Sequence, residues 1–252
     1  MRYSVCLPAV YCGVPSDEAV RRIAAIGAER FEIWGWWEID LDALERAMVE
    51  TGLKMVAMCV RPTPLNDPDC REACVEAVRE SIAVAKRFNC PALLMQVGQM
   101  RENIDREEQH ASIVEGLKAC APLAEEAGIT LLPEPLNILV DHKGYYLDSS
   151  VEGFEIIREV GSPNVKLLYD IYHQQITEGQ LIANITANID LIGHFHVAGV
   201  PGRHEPFEDQ EINYPAVLTA IRKAGYQGAV GLEYFPLSAP EESLKRILSG
   251  NL

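Results

Sequence analysis

Residues 124–134 read AEEAGITLLPE and residues 221–233 read IRKAGYQGAVGLE. Each is a helix-like stretch, a glycine stop, and a short apolar run that ends on a glutamate. A glycine at such a stop takes the left-handed conformation that closes a helix. A short apolar run bounded by Gly or Pro reads as a buried strand. The same punctuation falls at Gly27, Gly52 and Gly161. Working outward, strand patterns lie at 3–6, 30–34, 54–59, 92–97, 130–134, 166–170, 191–197 and 229–233. Amphipathic helix patterns alternate with them at 17–26, 41–51, 69–88, 106–127, 151–160, 179–188, 214–224 and 241–248. Eight strands alternating with eight helices predict a closed parallel (β/α)8 TIM barrel, for which about 250 residues is the usual length. The rival, an open doubly wound sheet, would carry GxGxxG at a strand–helix turn, and the chain has none. No linker or low-complexity tract divides residues 1–252, so one barrel domain is expected.

Composition narrows the partners. The chain has 252 residues and a formal charge of −15, which opposes nucleic acid and anionic membrane surfaces. A small anion can still bind, because charge within a cleft can oppose the net charge. No run reaches 18 apolar residues, so no membrane span is expected. The first residues, MRYSVCLPAVYCG, read as a first strand rather than a signal peptide. Seven cysteines with no CxxC point to free thiols in a reducing cytoplasm. Cys70 and Cys74 lie four apart on one helix with no further ligand nearby, which favours packing over a metal.

Four strand patterns in the second half carry a chemically active side chain at or one residue before their last position: Glu134, Asp170, His196 and Glu233. Their spacings of 36, 26 and 37 residues are each about one strand–helix unit. In a parallel barrel these ends gather at the C-terminal face, where active sites sit. Side-chain alternation puts Leu132, Leu168, His194 and Gly231 on the same inward face. Three carboxylates at one barrel mouth need compensating charge. An ion pair with Lys or Arg would supply it, as would a divalent cation. A mixed carboxylate–imidazole set suits Mn²⁺, Mg²⁺ or Co²⁺ without choosing among them.

The motif PGRHEP (201–206) followed by NYP (213–215), with DIYH (170–173) upstream and GLEYFP (231–236) downstream, resembles the hydroxypyruvate isomerase family. That family belongs to the xylose-isomerase-like barrels, with sugar isomerases and ketose 3-epimerases. The resemblance is strong from about residue 129 to 236 and is one of pattern before that. It implies a metal held by Glu134, Asp170, His196 and Glu233. The family's hydroxypyruvate isomerases place Gln where this chain has His196, and histidine there is more similar to the 3-epimerases. The implied chemistry is proton transfer through a cis-enediolate, with the metal binding the ketone and its neighbouring hydroxyl oxygen. Glu134 and Glu233 would flank the substrate as acid and base. Family habit also implies a homodimer or tetramer.

Supporting residues each have a plainer reading. His173, three residues after Asp170, is a substrate hydrogen-bonding group or a surface-loop histidine. Arg203 grips a carboxylate, or pairs with Glu205 or Glu208 in its own loop. His204 and Glu205 shape that loop, and His194 is a satisfied core histidine. Trp34, within the cluster Trp34, Trp36 and Trp37, is a substrate wall or barrel-rim packing. Gln96 and Gln99 reach a hydroxyl or solvate the rim, and segment 61–69 is a candidate lid. The expected function is isomerisation of a small hydroxy-keto acid, hydroxypyruvate to tartronate semialdehyde in the first instance. The alternatives are a ketose 3-epimerase and an inactive metal-binding barrel serving as a binding module. A DNA-repair endonuclease fits poorly, since no histidine precedes His110.

Overall fold

The computed structural model describes residues 1–250 and 252. Eight parallel strands form one sheet: β1 Arg2–Cys6, β2 Arg30–Glu32, β3 Lys54–Cys59, β4 Ala92–Met95, β5 Thr130–Pro133, β6 Leu167–Asp170, β7 Ile192–Val197 and β8 Ala229–Leu232. Their spatial order is β5-β4-β3-β2-β1-β8-β7-β6. The remaining edges, β5 and β6, meet where Leu131 N–H donates to Asn164 O (2.8 Å) and Lys166 N–H donates to Leu131 O (3.0 Å). The sheet is thereby a nearly closed barrel. The helices are α1 Leu7–Val10, α2 Ser16–Ala25, α3 Leu41–Thr51, α4 Arg71–Phe88, α5 Arg106–Ala127, α6 Ser150–Val160, α7 Ile171–Thr177, α8 Leu181–Ala187, α9 Tyr214–Lys223 and α10 Pro240–Leu248.

The glycine stops work as anticipated. Gly52, Gly128 and Gly161 are left-handed caps of α3, α5 and α6, at φ 73°, 65° and 69°. Gly27 and Gly225 also have positive φ, one residue beyond the cap. Asn89 performs the same turn after α4, at φ 51°.

The alternation is borne out. Leu132 and Leu168 join Ala57 and Leu94 in a small cluster inside the barrel, separate from the main core. Leu131 and Tyr169 belong to the larger layer between strands and helices. Inward positions therefore change from leucine to carboxylate within two residues on both β5 and β6.

One expectation needs correction. The sequence pattern predicts a single helix at 179–188 after β6. The stretch after β6 holds α7 and α8, because Asp170 caps a helix that starts at once. Asp170 Oδ1 accepts from Tyr172 N–H (2.8 Å) and His173 N–H (3.4 Å). The apolar IY pair after Asp170 masks that start in the sequence. The candidate lid at 61–69 is tethered at its far end. Asn66 donates to Gln99 O and Gln109 Oε1, and Asp67 pairs with Arg101.

Candidate metal centre and active site

The four strand-end residues meet. Glu134, Asp170, His196 and Glu233 are all buried and offer ligand atoms within 4.8 Å of one another. Their backbone positions explain this. Asp170 is paired in register with His196, and His196 with Gly231, two residues before Glu233. Among the described residues, nine buried side-chain polar atoms lack a hydrogen-bond partner, and five lie in this one place. They are Glu134 Oε1, Asp170 Oδ2, His196 Nδ1, His173 Nε2 and Arg203 Nε. Unpartnered buried polar atoms are rare, and a cluster of them calls for a ligand. Two carboxylate oxygens and an imidazole nitrogen turned toward one point fit a divalent cation of the Mn²⁺, Mg²⁺ or Co²⁺ kind.

Charge inside the cluster is divided unevenly. Burial works against ionisation of Glu233, but His196 and Arg203 outweigh it and hold its carboxyl well below the usual range. Arg203 donates from Nη2 to Glu233 Oε2 (2.5 Å) and lies 3.6 Å from Asp170 Oδ2. Its guanidinium also stands over the Tyr172 and Phe235 rings, at 5.3 and 5.9 Å. Burial, reinforced by Glu233, pushes Glu134 up to about 8. Burial is also the main cause that moves Asp170 up to about 6.

Arg203 therefore meets neither Glu205 nor Glu208, the partners its loop suggested. Glu208 pairs with Arg246, and Glu205 accepts from Leu237 N–H. His204 bonds Phe235 O through Nδ1 (2.8 Å), in keeping with a loop-shaping role.

His173 is wholly buried, not a surface-loop residue. Its Nδ1 accepts from Asn137 N–H (3.2 Å), so Nε2 carries the proton and faces Asp170 Oδ2 at 3.5 Å. Burial, then Arg203, lower its pKa far enough to keep the ring neutral. It is a donor aimed at the site.

Trp34 has a role that the substrate-wall reading did not contain. Its Nε1 donates to Glu233 Oε1 (2.8 Å), and Cys6 Sγ approaches the same oxygen at 3.6 Å. Trp34 also lines a cavity of about 280 Å³ over the cluster, together with Trp37, Gln96, Leu136, His142 and Arg203. Trp36 turns away, toward Ser81 of α4. Gln99 is not among the residues that line this cavity; its backbone pairs with that of Tyr145 in an isolated antiparallel bridge.

Two residues escaped the sequence reading. Glu32, at the end of β2, is buried and accepts from both His194 Nε2 and His196 Nε2 at 2.9 Å. Its signal was present: FEIW (31–34) is an apolar run with a carboxylate inside it. His194 is the satisfied core histidine expected, with Glu32 as its partner. His142, in the loop after β5, lines the cavity and packs edge-on against His173. Nothing in NILVDHKG marks it out.

A family model described as the xylose isomerase-like TIM barrel matches residues 20–249. The chain belongs to the xylose isomerase-like TIM-barrel family. It is 35% identical over 183 residues to the hydroxypyruvate isomerase of Escherichia coli K12, covering 72% of this chain and 68% of that one. It is 27% identical over 251 residues to the 2-oxo-tetronate isomerase of Pectobacterium atrosepticum, covering 96% and 95%. A solved structure titled AP endonuclease, family 2, from Brucella melitensis superposes with a TM-score of 0.93 at 27% identity. That match covers 100% of this chain and 99% of the other.

Proposed function

We propose that this chain is a metal-dependent isomerase of short hydroxy-keto acids, with hydroxypyruvate to tartronate semialdehyde as the leading reaction. The observation that carries the reading is the set of five unpartnered polar atoms clustered at the strand ends, beneath the cavity that Glu134 and Arg203 line. Three of them suit a cation, and the two nitrogens, on His173 and Arg203, suit the oxygens of an anion. Relatives named as isomerases of hydroxypyruvate and 2-oxo-tetronate support the same substrate class.

Glu134, Asp170, His196 and Glu233 would hold the Mn²⁺, Mg²⁺ or Co²⁺ ion. Bound there, it would polarise a carbonyl oxygen and stabilise the negative charge that develops as a proton leaves the neighbouring carbon. The protein's own groups supply the rest. Glu233, held ionised by its neighbours, can take a proton from carbon. Glu134, across the cavity, can return one to the adjacent carbon. His173 donates from Nε2 to a substrate oxygen. Arg203 offers a planar fork matched to a carboxylate, and its place beside the cluster puts that carboxylate next to the reacting carbons. Trp34 keeps Glu233 oriented and excludes water with its ring.

His196 favours a second reading, a ketose 3-epimerase, because that residue type at the end of β7 resembles the epimerases. A DNA substrate is opposed by the charge of −15. The deciding experiment strips the protein with chelator, restores Mn²⁺ or Mg²⁺, and compares hydroxypyruvate with tagatose, fructose and psicose. Metal-dependent turnover of hydroxypyruvate alone is expected. Turnover of ketoses alone would move the assignment to the epimerases, and no turnover of either would sink both.

A further inference from the structure

A carboxylate with 1% of its surface exposed, and with no Lys or Arg among its ion-pair partners, lies directly beneath the strand-end cluster. It is Glu32, and the activity proposed above leaves it without a task. Its two oxygens are divided between two imidazoles: Oε1 takes His194 Nε2 and Oε2 takes His196 Nε2, each at 2.9 Å. Ser4 Oγ also donates to Oε1. The layer is assembled from β1, β2 and β7, and β8 makes room for it. A Cβ on Gly231 would stand 2.5 Å from His196 Cδ2 and 2.6 Å from Glu32 Oε1, so only glycine lets the imidazole and carboxylate meet. Burying a carboxylate is costly unless both its oxygens are well paired, and here each is.

We infer that Glu32 is a positioning residue for the cation site: by accepting the Nε2 proton of His196 it turns the ring so that Nδ1 faces Glu134 and Glu233. The ring has one free orientation, about its bond to Cβ, and one choice of tautomer. The Glu32 bond settles both, because a carboxylate can only accept. Nε2 must then carry the proton, and Nδ1, 3.2 Å from Glu233 Oε2 and 3.8 Å from Glu134 Oε1, is the nitrogen left to the ion. The anion behind the ring also makes Nδ1 a stronger donor, as partner carboxylates do for metal-bound histidines in general. His194 has a lesser part. It occupies the other oxygen and its ring packs edge-on against His196 at 5.2 Å, which keeps Glu32 from swinging.

Glu32, His194 and His196 lie close enough to hold a cation themselves. The geometry favours positioning. A second ion at Nε2 together with one at Nδ1 would strip His196 of both protons, and the Ser4 hydroxyl donates to a Glu32 oxygen that such an ion would need.

This inference rests on the cation site proposed above, and its test separates the two. Mn²⁺ is titrated calorimetrically into the chelator-stripped wild type, Glu32→Gln, Glu32→Asp, Ser4→Ala and His194→Gln. Co²⁺-loaded samples are examined by proton NMR for the shifted, exchangeable ring N–H of a bound histidine. One Mn²⁺ per chain is expected in the wild type. Glu32→Gln should weaken it roughly 10–100-fold and abolish or shift the N–H signal. Glu32→Asp should recover part of the affinity, Ser4→Ala should lose a smaller part, and His194→Gln should stay close to wild type. Should Glu32→Gln not fold, Ser4→Ala carries the test, because it removes one hydroxyl and leaves the carboxylate. Unchanged affinity and N–H signal in folded Glu32→Gln, or in Ser4→Ala if that variant stands in, overturns the positioning role while leaving the cation site intact. Two Mn²⁺ per chain in the wild type, with one lost on Glu32→Gln, also overturns it, since Glu32 would then be a ligand. A wild type that binds no Mn²⁺ removes the cation site and this inference together.

Discussion

Arg203 and Trp34 carry the most readable chemistry of single side chains, and both do something their sequence context did not disclose. Arg203 sits in a glycine-rich loop with acidic neighbours at 205 and 208, yet its own φ of 58° turns it inward, onto Glu233 and Asp170. If it anchors a substrate carboxylate, Arg203→Met should cost the acid substrate about 1.5–3 kcal/mol of transition-state binding, roughly 10–150-fold in kcat/KM. A neutral ketose should lose far less, and parallel kinetics on both substrates would check this. Equal losses on the two would mean that Arg203 serves Glu233 and not the carboxylate. Trp34→Phe keeps the apolar wall and removes only the hydrogen bond to Glu233 Oε1. The expected result is a fall in kcat with little change in KM, since the bond would orient the proposed base and the wall stays in place. A rise in KM at constant kcat would favour the wall as the main role. Glu134, Asp170, His196 and Glu233 were legible because each lies at or next to the end of an apolar run. The hydrogen bond from Trp34 was not, because its acceptor lies 199 residues away.

Strands and helices were largely legible, since periodicity and glycine stops are local properties. β3 Lys54–Cys59, α3 Leu41–Thr51 and α5 Arg106–Ala127 have the bounds the pattern indicated. α7 was hidden, because the side chain that caps it is also the strand-end carboxylate Asp170. How elements meet has consequences of its own. On β8, Gly231→Ala would push a methyl between His196 and Glu32. Overpacking of this kind costs about 1–3 kcal/mol, and a denaturant melt of the variant should show it, with weakened Mn²⁺ binding alongside. Between α5 and α6, His110 lies 3.1 Å from Glu152 Oε1 and 3.2 Å from Glu159 Oε1. Burial lowers its pKa, but the two glutamates outweigh burial and the net shift is upward from 6.5. A raised folded pKa adds stability that is complete below the unfolded value and lost as pH climbs through the folded one. His110→Gln should therefore fall further below wild type in Tm at pH 5.5 than at pH 9. The pairs are partly solvated, so the effect should be at most about 1 kcal/mol. A Tm difference that is the same at both pH values would contradict the assignment.

For the whole molecule, the cluster of unpartnered atoms at the barrel mouth would tie folding to the proposed cation. An ion that binds only the folded chain should stabilise it by about 2.7 kcal/mol at a hundredfold excess over Kd. In a chain of 252 residues that is roughly 5–11 °C in Tm. Scanning calorimetry with and without Mn²⁺ would measure it, and Glu134→Gln combined with Asp170→Asn should erase the shift. A shift that survives the double change would place the ion elsewhere. The order of strands and helices, the barrel they predict and the four residues at the strand ends followed from the sequence by itself. They depend on hydrophobic period, on glycine at φ above zero and on which residue ends each run, all short-range features. Only the tertiary structure decided which atoms face one another: Glu32 under His196, Trp34 and Arg203 on opposite oxygens of Glu233, and His173 turned inward by Asn137. Those relations arise where strands distant in the chain lie side by side in register, and the chemistry of the site is set by that register.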